Sequence, residues 1–228
     1  MVANDAFGSF LRDIPRSTPH ASTACGLQKL AHLLPICRGS MVPLDPTENS
    51  LAYVASGATK LIASASGGRE QIVAFHFRGD LVSVPGNAWH SYDLCALVDT
   101  QILLFPAREF IDLTRTDPAF EDILLERSLT ALHRCRDKAV GLGRKNAQER
   151  LASFLVGMAE RIGTREDGTT ILDLPMSRRD IGDSLGLTIE TISRQFGELR
   201  KSGLVQTVGR CRVELCDLAE LAKRAGHA

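Results

Sequence analysis

The stretch Ser177-Arg-Arg-Asp-Ile-Gly-Asp-Ser-Leu-Gly-Leu-Thr-Ile-Glu-Thr-Ile-Ser-Arg-Gln-Phe-Gly-Glu-Leu-Arg-Lys-Ser-Gly203 decides how this chain is read. Ser177 with Asp180 three residues later is a reciprocal capping signal, so a helix starts there. Gly186-Leu187 breaks that helix, Thr188 caps a second one over Ile189–Lys201, and Gly203 ends it. Ile181, Leu185, Leu187, Ile192, Phe196 and Leu199 are spaced to lock the pair together, the build of a helix-turn-helix. Glu190, Ser193, Arg194 and Gly197 fall three and four apart and share the outward face of the second helix.

A helix that reads a major groove needs polar groups of this kind on its first turns. Arg194 can give a fork to O6 and N7 of guanine, and Glu190 can accept from the cytosine N4 amine. Glu190 is also placed to hold Arg194 through an i, i+4 pair. Ser193 can touch a base edge or a phosphate. Ser177, Thr188 and Thr191, beside amides at two helix starts, suit phosphate, and Arg178 adds charge there. Residues 204–208 and 211–215 read as a hairpin whose Arg210 and Arg212 form a wing against the nucleic-acid backbone. The bland alternative is a solvated Glu190–Arg194 pair on a small structural domain.

Working outward, residues 1–24 are rich in Ser, Thr, Ala and Pro and read as a flexible arm. Leu27, Leu30, Leu33 and Leu34 predict a short helix over 26–34. From 36 to 106, short apolar runs separated by Gly-containing breaks predict an antiparallel β sandwich or barrel. Asp117-Pro118 starts a long helix. On it Leu125, Leu132 and Ala139 recur every seven residues, with Ser128, Cys135 and Leu142 filling the other half of the heptad. Such a seam pairs with a copy of itself or packs on its own β domain. Gly141 and Gly143 mark where that helix ends or bends. A further helix, from 145 or 146 to 162, buries Leu151, Phe154, Leu155 and Met158, and Leu172 and Leu174 lie on a short strand.

At 228 residues, 44% apolar and 24% charged, the composition is that of a globular chain. No apolar stretch approaches the roughly 18 residues of a membrane-spanning helix. Asp5, Arg12, Asp13 and Arg16 argue against a secretory signal, so the expected location is the cytoplasm, away from any membrane. The zero net charge hides a split: residues 1–133 hold 10 Lys/Arg against 14 Asp/Glu, and residues 134–228 hold 17 against 13. A polyanion would be met by the back half. The six cysteines, at 25, 37, 95, 135, 211 and 216, include no CxxC pair. They predict neither a disulfide framework nor structural zinc, and mostly buried or half-buried thiols. Cys211 and Cys216, five apart in one strand, should face opposite sides.

The order of β region, long helix and winged helix-turn-helix resembles the superfamily of the cyclic-AMP receptor protein and the fumarate–nitrate reduction regulator. Most telling are Leu51-Ala-Tyr-Val-Ala-Ser-Gly57, Arg69-Glu-Gln-Ile-Val-Ala-Phe-His-Phe-Arg-Gly-Asp-Leu81, Lys145-Asn-Ala-Gln-Glu-Arg-Leu-Ala152 and Arg179-Asp-Ile-Gly-Asp-Ser-Leu-Gly-Leu-Thr-Ile-Glu-Thr-Ile-Ser-Arg194. The Glu-x-x-Ser-Arg reading head is similar to that of the fumarate–nitrate and FixK-like branches. The resemblance implies an α+β chain: an arm over 1–24, a β-roll (double-stranded β-helix, cyclic-nucleotide-binding-like) over 25–116, a dimerisation helix over 117–143 and a winged helix-turn-helix over 144–228. It implies a homodimeric transcription activator, not an enzyme, in oxygen-limited or nitrogen-fixation gene control, with RNA polymerase as a partner. Its double-stranded DNA target would be an inverted repeat of the type TTGAT-N4-ATCAA, with Arg194 on guanine, Glu190 on the opposite cytosine and Ser193 on thymine.

The sensor half lacks the residues that relatives use for cofactors. Residues 85–97 hold no arginine to meet a cyclic phosphate. Only Cys25 and Cys37 lie near the start, and Ile102-Leu103-Leu104 stands where a fourth cluster cysteine would be expected. A lone His76 or His90 is usually structural, and their spacing, without His-x-His, does not make a cupin metal site. The expectation is no cofactor, with control by protein amount or thiol oxidation. Some FixK-like proteins place a redox-sensitive cysteine beside the DNA; Ser177-Arg178 stands there, leaving Cys211 as the nearest thiol. The rival is the same fold gated by an effector in the β-roll.

Overall fold

The computed structural model describes residues 2–65, 68–209 and 211–226. The chain divides into two units between His133 and Arg134.

In the first unit, the run Ile102-Leu103-Leu104-Phe105 lacks polar alternation because its strand is covered on both faces. Strand β7 (Thr100–Pro106) lies inside an antiparallel sheet with β1 (His32–Ile36), β2 (Ser50–Ser56) and β5 (Leu81–Val84), in the order β1-β7-β2-β5. A second sheet has the order β4-β3-β6, from β3 (Ala58–Ala65), β4 (Arg69–Phe77) and β6 (Ser91–Ala96). One core cluster joins the two sheets: Ala52, Val54, Leu61, Val82, Leu94 and Ile102 are all buried in it. Two strands escaped the sequence reading. Residues 32–34, expected as the end of the helix over 26–34, belong to β1 and pair with β7 instead, and β6 lies in a stretch too polar to show alternation.

The other face of β2 and β7 carries Tyr53, Leu103 and Phe105 into a second cluster, beneath four helices. These are α1 (Val2–Asp13), α2 (Ala21–Leu30), α3 (Ala107–Thr114) and the start of α4 (Pro118–Arg144). The flexible arm expected over 1–24 is therefore not observed. Phe7, Phe10 and Ile14, three and four apart, put an apolar stripe on α1, and Phe10 is fully buried. Its ring centroid lies 5.5 Å from that of Tyr53 and 5.2 Å from that of Phe105. Burying such a ring is worth about 1.5–3 kcal/mol, enough to order the segment. Polar ties follow the packing. The Tyr53 hydroxyl donates to Asp13 Oδ2 at 2.6 Å, and Arg127 of α4 donates to the carbonyls of Gly79 and Asp13 at 3.1 and 2.8 Å.

Helix α4 runs 27 residues, continues through Gly141 and Gly143, and ends at Arg144, one residue beyond the second glycine. Leu125 and Leu132 are 61% and 43% exposed, and Cys135 and Ala139 are also exposed. Leu129 and Val140, which the heptad did not include, widen this apolar stripe.

The second unit is built on α5 (Ala147–Ile162), with Leu151, Ala152, Leu155 and Met158 buried. Its sheet has the order β10-β11-β9-β8, from β8 (Thr164–Glu166), β9 (Thr169–Asp173), β10 (Val205–Val208) and β11 (Arg212–Leu215). Helices α6 (Arg178–Leu185) and α7 (Ile189–Lys201) lie between β9 and β10, and α8 (Leu218–Arg224) follows the hairpin. Cys211 and Cys216 flank β11 rather than sharing it, so the opposite-face argument does not apply. The buried thiols expected are also corrected: only Cys95 is buried, and the other five are exposed.

Candidate nucleic-acid interface

The capping residues read from the sequence make the bonds they predict. Ser177 Oγ accepts from the Asp180 amide at 3.1 Å while Asp180 Oδ2 accepts from the Ser177 amide at 2.8 Å. Gly186 ends α6 in the left-handed region, φ +64°, where any side chain would be strained. Gly182 serves closeness rather than angle: a Cβ there would stand 2.6 Å from the Leu187 carbonyl oxygen, which only glycine avoids. Thr188 Oγ1 then caps α7 by accepting from the Thr191 amide at 3.2 Å. Ile181, Ile192, Phe196 and Leu199 are buried between the helices.

That packing turns Glu190, Ser193 and Arg194 outward, all three exposed, with Gly197 half-buried beyond them. Arg194 makes no hydrogen bond or ion pair among the described residues, so its five donors are open to a ligand. The expected Glu190–Arg194 pair is not formed. The Glu190 carboxyl is held below the ordinary carboxylate range by its own backbone amide first, then by the Thr188 hydroxyl and by Arg179. Ser193 donates its hydroxyl to the Ile189 carbonyl at 2.8 Å, leaving its lone pairs facing out.

The flanking cations behave differently from one another. Arg178 is half-buried, its guanidinium carbon 3.2 Å from the centroid of the Phe196 ring. Burial, and then the charge of Arg200, lower its pKa to about 10, so it remains a cation at neutral pH. Its Nη1 atom is buried without a hydrogen-bond partner. Arg212, expected as a free wing cation, is instead paired with Glu166 of β8 at 2.6 Å and with Glu214 at 3.6 Å. The register sets Arg212 opposite Asp173 and Glu166 opposite Thr169, so the pair spans β9 diagonally rather than directly across it. Arg210 lies outside the described residues.

Sequence reasoning missed two side chains that hold this unit together. Arg150 donates to three backbone carbonyls, and Lys138 donates to Ser184. Arg150 carried a signal that went unread: a cation in the first turn of a helix opposes the macrodipole and needs a reason to be there.

The β-roll does not fit the groups its architecture brings to mind. Its interior is filled by the aliphatic side chains joining the two sheets, and the loop from β5 through β6 carries no Lys or Arg over residues 85–97. Among the described residues, no three His, Cys, Asp or Glu side chains stand together as metal ligands.

Comparison with known proteins places this geometry. Residues 149–224 match the Crp-like helix-turn-helix domain, and residues 43–117 match the cyclic nucleotide-binding domain. The chain is 34% identical over 180 residues to the transcriptional activator protein FnrL of Cereibacter sphaeroides, covering 77% of this chain and 73% of that protein. It is 37% identical over 152 residues to the nitrogen fixation regulation protein FixK of Rhizobium meliloti, covering 67% of each. The solved structure of FixK2 from Bradyrhizobium japonicum superposes with a TM-score of 0.73 at 30% identity, covering 85% of this chain and 96% of that one. With its outward reading helix and matching domains, the chain belongs to the CRP/FNR family of transcription regulators, in the FNR/FixK branch.

Proposed function

We propose that this regulator acts as a homodimer that binds inverted repeats of the TTGAT-N4-ATCAA type and activates transcription in oxygen-limited or nitrogen-fixation gene control. The observation that carries the reading is the unpartnered, exposed Arg194 beside Glu190 and Ser193 on the first turns of α7. Arg194 would take O6 and N7 of guanine, Glu190 the N4 amine of the opposite cytosine, and Ser193 a thymine. Thr188, Thr191 and Ser177 stand at the two helix starts, where backbone amides face phosphate. The orphaned Nη1 of Arg178 supports a phosphate contact, since an anion would give that nitrogen the acceptor it lacks. The names of FnrL and FixK, an activator and a nitrogen-fixation regulator, support the circuit. The exposed stripe Leu125, Leu132, Cys135 and Ala139 supports pairing with a second copy, so that two heads meet successive major grooves. RNA polymerase is the expected protein partner of the DNA-bound dimer.

A gel shift with purified protein tests the reading. Binding to a TTGAT-N4-ATCAA duplex without any added small molecule, and loss of that binding when the guanine and its paired cytosine are exchanged, is the expected result. Equal affinity for both duplexes would refute the base assignments, and binding only after an effector is supplied would transfer control to the β-roll.

A further inference from the structure

A helix end leaves its last carbonyls without partners inside the helix, and α4 and α6 both end within reach of one cation. Arg150 Nη2 donates to the carbonyl of Leu142 in the last turn of α4 at 2.8 Å. Its Nε donates to the carbonyl of Lys145 just beyond at 2.9 Å, and its Nη1 donates to the carbonyl of Leu185, the last residue of α6, at 3.0 Å. Only a rigid, planar fork satisfies three acceptors on two helix ends at once; a lysine, as a single point charge, does not. The base of the fork is itself fixed, because α5 begins with a reciprocal cap in which Asn146 and Glu149 exchange bonds.

Two further contacts join the same elements. Lys138, one turn before Leu142 on α4, donates to the buried Ser184 hydroxyl of α6 at 2.9 Å. Leu142 itself reaches the turn of the helix-turn-helix: a Cβ on Gly186 would lie 3.5 Å from a Leu142 methyl and 3.7 Å from Arg150 Nη1. Leu142, read from the heptad as part of the dimer seam, is thus turned toward the turn between α6 and α7. Cys135 and Ala139 stay exposed on α4. One end of one helix therefore carries both the face that would meet a second copy and the face that grips the reading head.

We infer that Arg150 is a positioning residue whose guanidinium, joined by the Lys138–Ser184 contact, fixes the angle between the end of α4 and the helix-turn-helix, and so sets the spacing between half-sites that the dimer accepts. The inference rests on the dimeric DNA-binding reading above but not on the identity of the half-site. Each base pair added between half-sites moves one of them about 3.4 Å along the duplex and about 35° around it. A head held at a fixed angle cannot follow that displacement, whereas a loosened one can.

The test is selection from a pool of randomised duplexes, followed by titration of the selected repeat with spacers lengthened or shortened by one base pair. Wild-type protein should select one spacer and lose about tenfold or more in affinity for each change, while Arg150→Met should lose less than about threefold yet keep the same half-site bases. Arg150→Lys and Ser184→Ala, milder changes that keep the fold if Arg150→Met does not, should give intermediate loosening. A wild-type spacing dependence in folded Arg150→Met or Arg150→Lys overturns the inference, as does wild-type protein that selects repeats of no fixed spacing. Loss of base preference together with spacing would likewise overturn it, by showing a merely structural role. A selected half-site other than TTGAT would refute the operator assignment alone, leaving the spacing comparison to be made on the half-site found.

Discussion

Two arginines sixteen residues apart play different parts, and their surroundings say why. Arg194 is exposed and unpaired, so Arg194→Ala should leave stability unchanged within about 0.5 kcal/mol and relax the preference at one base pair by roughly 1–3 kcal/mol. Competition titrations with single-base variants of the repeat check this; an equal loss on every sequence contradicts it. Arg178 lies over the Phe196 ring with one nitrogen orphaned, two effects of opposite sign. The stacking contributes about 0.5–2 kcal/mol, and the unsatisfied nitrogen costs about 1–3. Arg178→Met keeps an apolar stem over the ring, so stability should change by less than about 1 kcal/mol. Affinity for all duplexes should fall together, with the salt slope reduced by about one. Unfolding midpoints and a salt titration separate these outcomes. Both arginines could be picked out in the sequence, Arg194 from its spacing on α7 and Arg178 from its place beside the Ser177 cap, but the stacking could not. Nothing in a linear pattern says that Arg178 folds back over Phe196.

Lys138 shows the same limit from the other side. In sequence it sits beside Ala139 in a seam, but the fold half-buries it, and that desolvation lowers its pKa to about 8. An unfolded lysine holds its proton up to about 10.5, while the folded one releases it near 8, so between those values the unfolded chain binds more protons. The stability of the second unit should therefore rise with pH across that window and be insensitive to this group below it. Lys138→Met should flatten the rise by roughly 1–3 kcal/mol, seen as converging urea midpoints of variant and wild type. Parallel curves for the two proteins across that range would show that burial does not control Lys138.

At the scale of the element, what could be read from the sequence depended on whether one signal spoke alone. Helices α6 and α7 were legible to within a residue because caps, a turn glycine and an apolar stripe agreed. Helix α1 was lost because the Ser, Thr and Pro of residues 15–24 coloured the whole segment, though Phe7, Phe10 and Ile14 already carried a helical period. Strand β1 was lost because its leucines continued a helical spacing, and only pairing with β7 decides between the two. Phe10→Ala should cost about 3–5 kcal/mol in the first unit, because its five aromatic neighbours cannot all close on the void. Denaturant unfolding followed by near-ultraviolet circular dichroism would report it. A loss below about 1 kcal/mol would mean that α1 is an ornament on the sheet rather than part of its core.

For the molecule as a whole, the seam on α4 was legible as a seven-residue repeat, but its partner was not, since a repeat states only that a face is apolar. The structure leaves Leu125, Leu129 and Leu132 exposed along that helix, a contiguous apolar face of the kind that monomers seldom keep. If a second copy covers it, Leu132→Glu would set two carboxylates near the twofold axis and dissociate the pair without touching the reading helix. Light scattering should then report a particle near the 24.8 kDa of one chain. Affinity for the full repeat should fall by roughly 100-fold or more, the avidity lost when two linked heads become independent. Binding to an isolated half-site should hardly change, which separates the loss of pairing from damage to the head. The contrast with Arg150→Met is sharp at this scale: that variant should remain a dimer and keep the full repeat while tolerating the wrong spacer. A Leu132→Glu protein that still binds the repeat at wild-type affinity would place the contact between copies somewhere other than α4, and with it the physical link between that helix and the geometry of the operator.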